Sequence, residues 1–148
     1  MDYILKCLPT ELVALIRTHN AQKIEEIRIR AGKPVILNLG NLELVLKYVI
    51  TNVQIMGIFQ TICNNSVYAY QNEIINGFIT IPGGNRVGIT GNIVITDGQV
   101  SNISHIYSLN FRISHQIDNS SNEVIRYIFD TKNNSIFNSL VVSPPRMW

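Results

Sequence analysis

Charge is scarce in this sequence. Asp, Glu, Lys and Arg make up 15% of its 148 residues, against about 25% in ordinary globular chains. Their formal sum is +2, so composition gives no reason to call for nucleic acid or an anionic membrane. The apolar share is 46%, enough for a core, which excludes a disordered tail and makes one domain the default. No apolar run approaches the roughly 20 residues of a membrane-spanning helix. Met1-Asp-Tyr-Ile-Leu-Lys-Cys7 holds no basic segment, apolar run or small-residue cleavage site, so no signal peptide is read there. Cysteine is limited to Cys7 and Cys63. The expectation is a reduced, cytosolic pair packed as small apolar groups, not a disulfide.

Catalytic motifs are lacking as well. Gly32-Lys33 is the only Gly-Lys pair, but Ile27 stands where a phosphate-binding loop needs its first glycine, and Pro34 where it needs Ser or Thr. There is no G-x-S-x-G, H-E-x-x-H or C-x-x-C. His105 and His115 have no Cys or carboxylate at ligand spacing, so no metal site is expected. Asp97 and Asp118 read as turn residues and Glu73 as a helix-surface charge. No catalytic residue is assigned. The chain is expected to bind, not to react.

What is present is a run on which the rest is organised, Gly77-Phe-Ile-Thr-Ile-Pro-Gly-Gly-Asn-Arg-Val-Gly-Ile-Thr-Gly91. Phe78 and Thr80 alternate with Ile79 and Ile81; Pro82-Gly83-Gly84-Asn85 breaks the run; Val87, Ile89, Ile93 and Ile95 resume it at period two. This predicts strand, tight turn and strand. Arg86 falls on the face opposite Val87 and Ile89, beside Gly88, which leaves little next to the guanidinium. A cation framed by backbone can meet an anion or a partner chain; the alternative is a solvated arginine on a hairpin.

Before this run, Leu12, Leu15, Ile16 and His19 recur at helical spacing from Pro9-Thr10 to Asn20. The period then becomes two, with Ile27, Ile29 and Ala31 on one face and Glu26, Arg28 and Arg30 on the other. Strands carrying Val35, Leu37 and Leu39, then Leu42, Leu44 and Leu46, flank a Gly40-Asn41 turn, which completes a three-stranded meander. Thr51-Asn52 caps a helix with Val53, Ile55, Met56, Phe59 and Ile62, ending near Asn64-Asn65, and Ser66 caps a short helix with Val67, Tyr70 and Ile74. Past the central hairpin, Asp97-Gly98 is a further turn leading to Val100 and Ile103. Leu109, Phe111 and Ile113 form another strand, with Asn110, Arg112 and Ser114 on its polar face. A helix is read over residues 122–130 and a last strand over residues 136–142, stopped by Ser143-Pro144-Pro145. The expected fold is α+β: a mostly antiparallel sheet of two meanders with helices on one face. Its expected core is Ile27, Ile29, Leu37, Leu44, Phe59, Ile79, Val87, Ile89, Ile93, Phe111 and Ile113.

Leu8-Pro9, residues 26–34, Ser66-Val-Tyr-Ala-Tyr70, the central run, Ser108-Leu-Asn-Phe-Arg-Ile-Ser114 and Leu140-Val-Val-Ser-Pro-Pro145 occur together and in order. In this the chain resembles the N-terminal half of the stage III sporulation protein AA family, which is similar to the hexameric ATPases of type II and type IV secretion and of pilus retraction. Asn85 stands where that family usually has His. The resemblance implies a fold like the N-terminal domains of secretion ATPases. It implies a regulatory and oligomerisation domain over residues 1–135, with residues 136–148 opening a motor domain. The family's Walker A motif follows Ser-Pro-Pro, and this sequence reads Ser143-Pro-Pro-Arg-Met-Trp148 in its place. No cofactor is therefore expected on this chain, whereas ATP and Mg²⁺ belong to the full-length family.

The resemblance further implies a homo-oligomer, hexameric in the intact family, that sits in the cytoplasm at the mother-cell membrane. There it would power a channel to the forespore together with that channel's membrane proteins. It assigns Arg86 and Arg112 to sensing a nucleotide γ-phosphate in trans, and Gly83, Gly84, Gly88 and Gly91 to the backbone of the hairpin. The alternative is a nucleic-acid-binding module whose Arg28, Arg30, Arg86 and Arg112 contact phosphates. Aromatic residues are not interleaved with those arginines as a stacking platform needs, so no nucleic acid is expected. A folded remnant without activity is the third reading.

Overall fold

A computed structural model describes residues 1–115, 119, 121–140 and 142. They fall into two compact units, Met1–His115 and Gln116–Trp148. The first unit opens with two short helices, α1 (Asp2–Cys7) and α2 (Thr10–Arg17). Sequence reading missed α1 and carried α2 to Asn20. Ile4, Leu12 and Ile16 on these helices are fully buried.

Three strands follow, β1 (Glu26–Arg30), β2 (Pro34–Asn38) and β3 (Glu43–Val49). Gly40-Asn41 forms the expected turn, closed by the Leu39 amide donating to the Leu42 carbonyl at 2.8 Å. Helix α3 (Asn52–Ile62) is capped reciprocally: the Gln54 amide donates to Thr51 Oγ1, and the Thr51 amide donates to Gln54 Oε1. It buries Ile55, Ile58, Phe59 and Ile62 and leaves Val53 exposed. Ser66 makes no side-chain cap; Val67–Tyr70 is a 3₁₀ turn running into α4 (Gln71–Ile75).

The second meander comprises β4 (Phe78–Ile81), β5 (Asn85–Thr96) and β6 (Gln99–Arg112). The separate strands expected around Ile103 and Phe111 are one continuous β6. Pairing of β1 with β6 joins the two meanders into a six-stranded antiparallel sheet, ordered β3-β2-β1-β6-β5-β4. The fold is α+β, with α3 and α4 against the face that carries Ile29, Leu37, Val87, Leu109 and Phe111. Two expected core residues are not buried. Leu44 is half-buried on a strand at the sheet edge, and Ile93 is 61% exposed because β5 has by then run past β4.

Cys7 and Cys63 are both buried free thiols, not joined in a disulfide. Burial, with Glu73 adding, pushes the Cys63 thiol up to about 11, and burial raises Cys7 too. The thiolate is the reactive form. At pH 8, Cys63 in the folded chain should therefore react with an alkylating reagent orders of magnitude more slowly than in denaturant, as read by mass spectrometry.

In the second unit, α5 (Asn122–Ile128) runs into β7 (Phe129–Asp130), which pairs with β8 (Ser135–Ile136). The strand expected over residues 136–142 shrinks to β8. Leu140 and Val142 are 88% and 84% exposed. A division after residue 135 falls inside this unit. Asp118 and the Ser143-Pro144-Pro145 stop lie outside the described residues.

Candidate functional site

The sheet buries one face and exposes the other, and the exposed face is ordered in rows by strand register. One row reads Glu43, Asn38, Glu26, Arg112, Arg86, Thr80 across the six strands. Arg86 and Arg112, singled out by sequence, are thus direct cross-strand neighbours. Like charges so placed repel. Among the described residues, neither guanidinium pairs with a carboxylate.

The acid nearest in register, Glu26, is engaged elsewhere. Arg28 reaches it at 2.7 Å and Glu43 at 2.9 Å, and Asn110 Nδ2 donates to its other oxygen at 2.7 Å. Burial raises the Glu26 carboxyl, but hydrogen bonds from Arg28, Asn110 and Asn38, with the Arg28 charge, outweigh it and hold it below its ordinary 4.5. A depressed carboxyl stabilises the fold above its unfolded value and loses that contribution as pH falls through the folded one. Glu26→Gln should cost about 1 kcal/mol at pH 7, since Arg28 is partly exposed. The gap to wild type should close as urea titrations are moved below pH 4.5.

Gly88 lies beside Arg86 on the open face. It is opposite Phe78 across β4–β5 and two residues from Arg86 on the same face. The Arg86 guanidinium lies over the Phe78 ring, 4.5 Å from its centroid. The guanidinium is thereby braced while its donors stay exposed.

The turn next to it is built as the sequence suggests, with Gly83 and Gly84 at φ +85° and +72°. Asn85 departs from its expected place in the turn: it is the first residue of β5 and is buried. Its Nδ2 donates to the Pro82 carbonyl at 2.7 Å, and its Oδ1 accepts from the Ser114 amide at 3.0 Å. The side chain ties the turn to the end of β6 and helps shape a cavity of about 220 Å³ lined by Gly84, Arg86, Arg112, Ile113 and Ser114. A neutral imidazole also carries one donor and one acceptor, so His can fill the same place.

Gly91 lies beyond this site, at a bulge where Thr90 pairs with Ser108 but Asn92 with Ser104. Of the four glycines, Gly83 and Gly84 make the turn and Gly91 a close approach, while a side chain at Gly88 would meet only Asn110 in ordinary contact.

Arg28 and Arg30 share the open face. Arg28 is held by two carboxylates, and Arg30 lines a separate cavity of about 470 Å³ with Lys33, Ser108 and Asn110. A phosphate backbone crossing all four arginines would have to pass Glu26, which lies beside Arg112 in register. His115 contacts the Ile24 carbonyl at 2.7 Å, and His105 sits in the bulge at φ +46°. Among the described residues, no three His, Cys, Asp or Glu are placed to hold a metal, and no helix is long and apolar enough to cross a membrane.

The description of one family, sporulation stage III, protein AA, matches residues 2–148. This chain belongs to the stage III sporulation protein AA family. Stage III sporulation protein AA of Bacillus subtilis strain 168 is 33% identical over 149 positions, covering 99% of this chain and 48% of that protein. The chain thus spans about half the length of the curated relative it matches. Among solved structures, the VirB11 ATPase of the Brucella suis type IV secretion system, crystallised with sulphate, aligns with a TM-score of 0.47 at 12% identity, over 85% of this chain and 35% of that one. The Legionella pneumophila ATPase DotB aligns at 0.43 and 12%, over 80% and 34%.

Sequence reading placed the two arginines on polar strand faces but did not name the residues around them. Phe78 under Arg86 was accessible from the register of a three-residue turn, which sets Phe78 opposite Gly88. The contact of Glu26 with Asn110 was not, because it depends on β1 pairing with β6 at a sequence separation of 84 residues.

Proposed function

We propose that this chain is the N-terminal part of a sporulation ATPase and that its Arg86–Arg112 pair senses the γ-phosphate of nucleotide held by a motor domain. The observation that carries this is the pair itself: two exposed guanidiniums set side by side, with the acid nearest in register committed to Arg28. Such a pair is unfavourable until an anion bridges it, and planar forks match phosphate oxygens in two-point contacts. Residues 1–135 serve regulation and oligomerisation, and residues 136–148 open the motor half. The chain by itself is not an enzyme; in the full-length protein ATP and Mg²⁺ are bound by the motor. That protein assembles as a hexamer in the cytoplasm, at the mother-cell membrane, where it powers the channel to the forespore by moving N-terminal against motor domains. The membership of the family and a relative about twice as long support this reading. The experiment joins this chain to the motor half of the Bacillus subtilis relative and measures ATP turnover with Arg86→Lys and Arg112→Lys.

A further inference from the structure

Arg30 and Lys33 carry charges that the Arg86–Arg112 site leaves unused. Arg28, on the same strand as Arg30, is held by Glu26 and Glu43, whereas among the described residues neither Arg30 nor Lys33 pairs with a carboxylate. Both are exposed and line the cavity of about 470 Å³, a volume within the roughly 300–1,000 Å³ of small-molecule sites. The turn that carries Lys33 is tied down. The Gly32 amide donates to the Ile50 carbonyl at 2.8 Å, and the Lys33 amide donates to the Arg30 carbonyl at 3.0 Å.

Strand register gives this cavity a polar half and an apolar half. Arg30, Ser108 and Thr90 form one row across β1, β6 and β5. Ser108 Oγ donates to the Ile29 carbonyl at 3.0 Å, so its lone pairs are left to accept, while the exposed Thr90 hydroxyl can donate. On the other side of β1, Pro34 and Ile36 of β2 and Val45 of β3 make an apolar wall, with Ile36 and Val45 paired in register. Val45 is 62% exposed, so that wall is open to a ligand.

We infer that this cavity binds a nucleoside monophosphate, its phosphate on Arg30, Lys33 and Thr90 and its base against Pro34, Ile36 and Val45. A phosphomonoester carries about −1.5 to −2 charges at neutral pH, which two cations without a carboxylate partner match. The Arg30 fork can take two of its oxygens. Inorganic phosphate would use the polar half alone, and an uncharged nucleoside would leave both cations without a counter-charge. The ribose between the two ends brings hydroxyl donors to Ser108. The cavity is distinct from the Arg86–Arg112 site: Arg112 lies two rows beyond Ser108 on β6, roughly 13 Å at the strand rise, with the Arg28–Asn110 row between them. The inference goes beyond the proposed function and does not depend on it.

Titration calorimetry of this chain with AMP, without Mg²⁺, tests it. AMP should bind with a Kd below about 1 mM, and adenosine and inorganic phosphate at least about tenfold more weakly. Arg30→Gln and Lys33→Gln should each weaken AMP binding at least about tenfold, since each removes a charged donor. Both side chains are exposed, so the melting temperature should stay near that of the wild type; Lys33→Gln, in the turn, carries the test should Arg30→Gln not fold. Val45→Ser should weaken AMP and leave inorganic phosphate unchanged. A wild type that takes up no AMP at millimolar concentration overturns the inference, as does an AMP affinity unchanged in both Gln variants. Binding that is kept in those variants and lost in Arg112→Lys overturns it by placing the ligand at the other pair. Ribose 5-phosphate that binds as tightly as AMP would remove the base from the assignment and overturn it as well.

Discussion

Gly91→Ala should destabilise the first unit by about 3 kcal/mol, at the upper end of overpacking, and lower its Tm by roughly 10 °C. A Cβ at Gly91 would lie 2.6 Å from the Ser104 carbonyl oxygen, 2.7 Å from Ile103 Cγ2 and 3.2 Å from Ile106 Cα. Two of those atoms are backbone, fixed by the bulge that lets Asn92 pair with Ser104 after Thr90 pairs with Ser108. Relief requires the bulge to open, and the bulge already holds His105 at φ +46°. Gly88→Ala is the control. A Cβ there meets Asn110 Cβ at 3.7 Å and its carbonyl oxygen at 3.8 Å, ordinary contact, so its cost should stay below about 1 kcal/mol. Thermal unfolding of both variants checks the contrast; equal melting temperatures would remove the close approach at Gly91 from the account.

That contrast also marks where sequence reading stops. Period-two alternation and the Gly40-Asn41 and Asp97-Gly98 turns made the strands and their two meanders legible, because these are local signals. The same alternation put Ile93 in the core, since it cannot tell how far a neighbouring strand runs. Helix α1 was hidden because six residues with only Ile4 and Cys7 buried show too little periodicity. Asn85 looked like turn material from its neighbours Gly83 and Gly84, yet it is buried by a bond to Ser114, 29 residues away. At the site, Arg86 and Arg112 could be placed on polar faces from sequence. Their adjacency needed the β5–β6 register, and the commitment of Glu26 to Arg28 needed β1 beside β6.

With the chain joined to a motor half, Arg86→Lys should cut ATP turnover at least about tenfold and Arg86→Ala about a hundredfold, below the 10³–10⁵ credited to an arginine finger that completes a site. Lysine keeps the charge and loses the fork, so a two-point contact becomes one. Arg112→Lys should act in the same direction. Because both guanidiniums are exposed and lysine keeps the charge, the two Lys variants should melt within about 1 °C of wild type. Loss of turnover without loss of stability separates a phosphate contact from a structural one. The Phe78 ring sharpens the expectation: it holds the Arg86 guanidinium before nucleotide arrives, so less ordering cost is left for the bound state.

The most direct test reads the Arg86 side chain itself. In the joined protein, assigned by comparison with Arg86→Lys, the Nε–H resonance of Arg86 should shift when a non-hydrolysable ATP analogue and Mg²⁺ are added, and should stay at its nucleotide-free position with ADP and Mg²⁺. An Arg86 resonance identical in the two nucleotide states would contradict γ-phosphate sensing by this arginine.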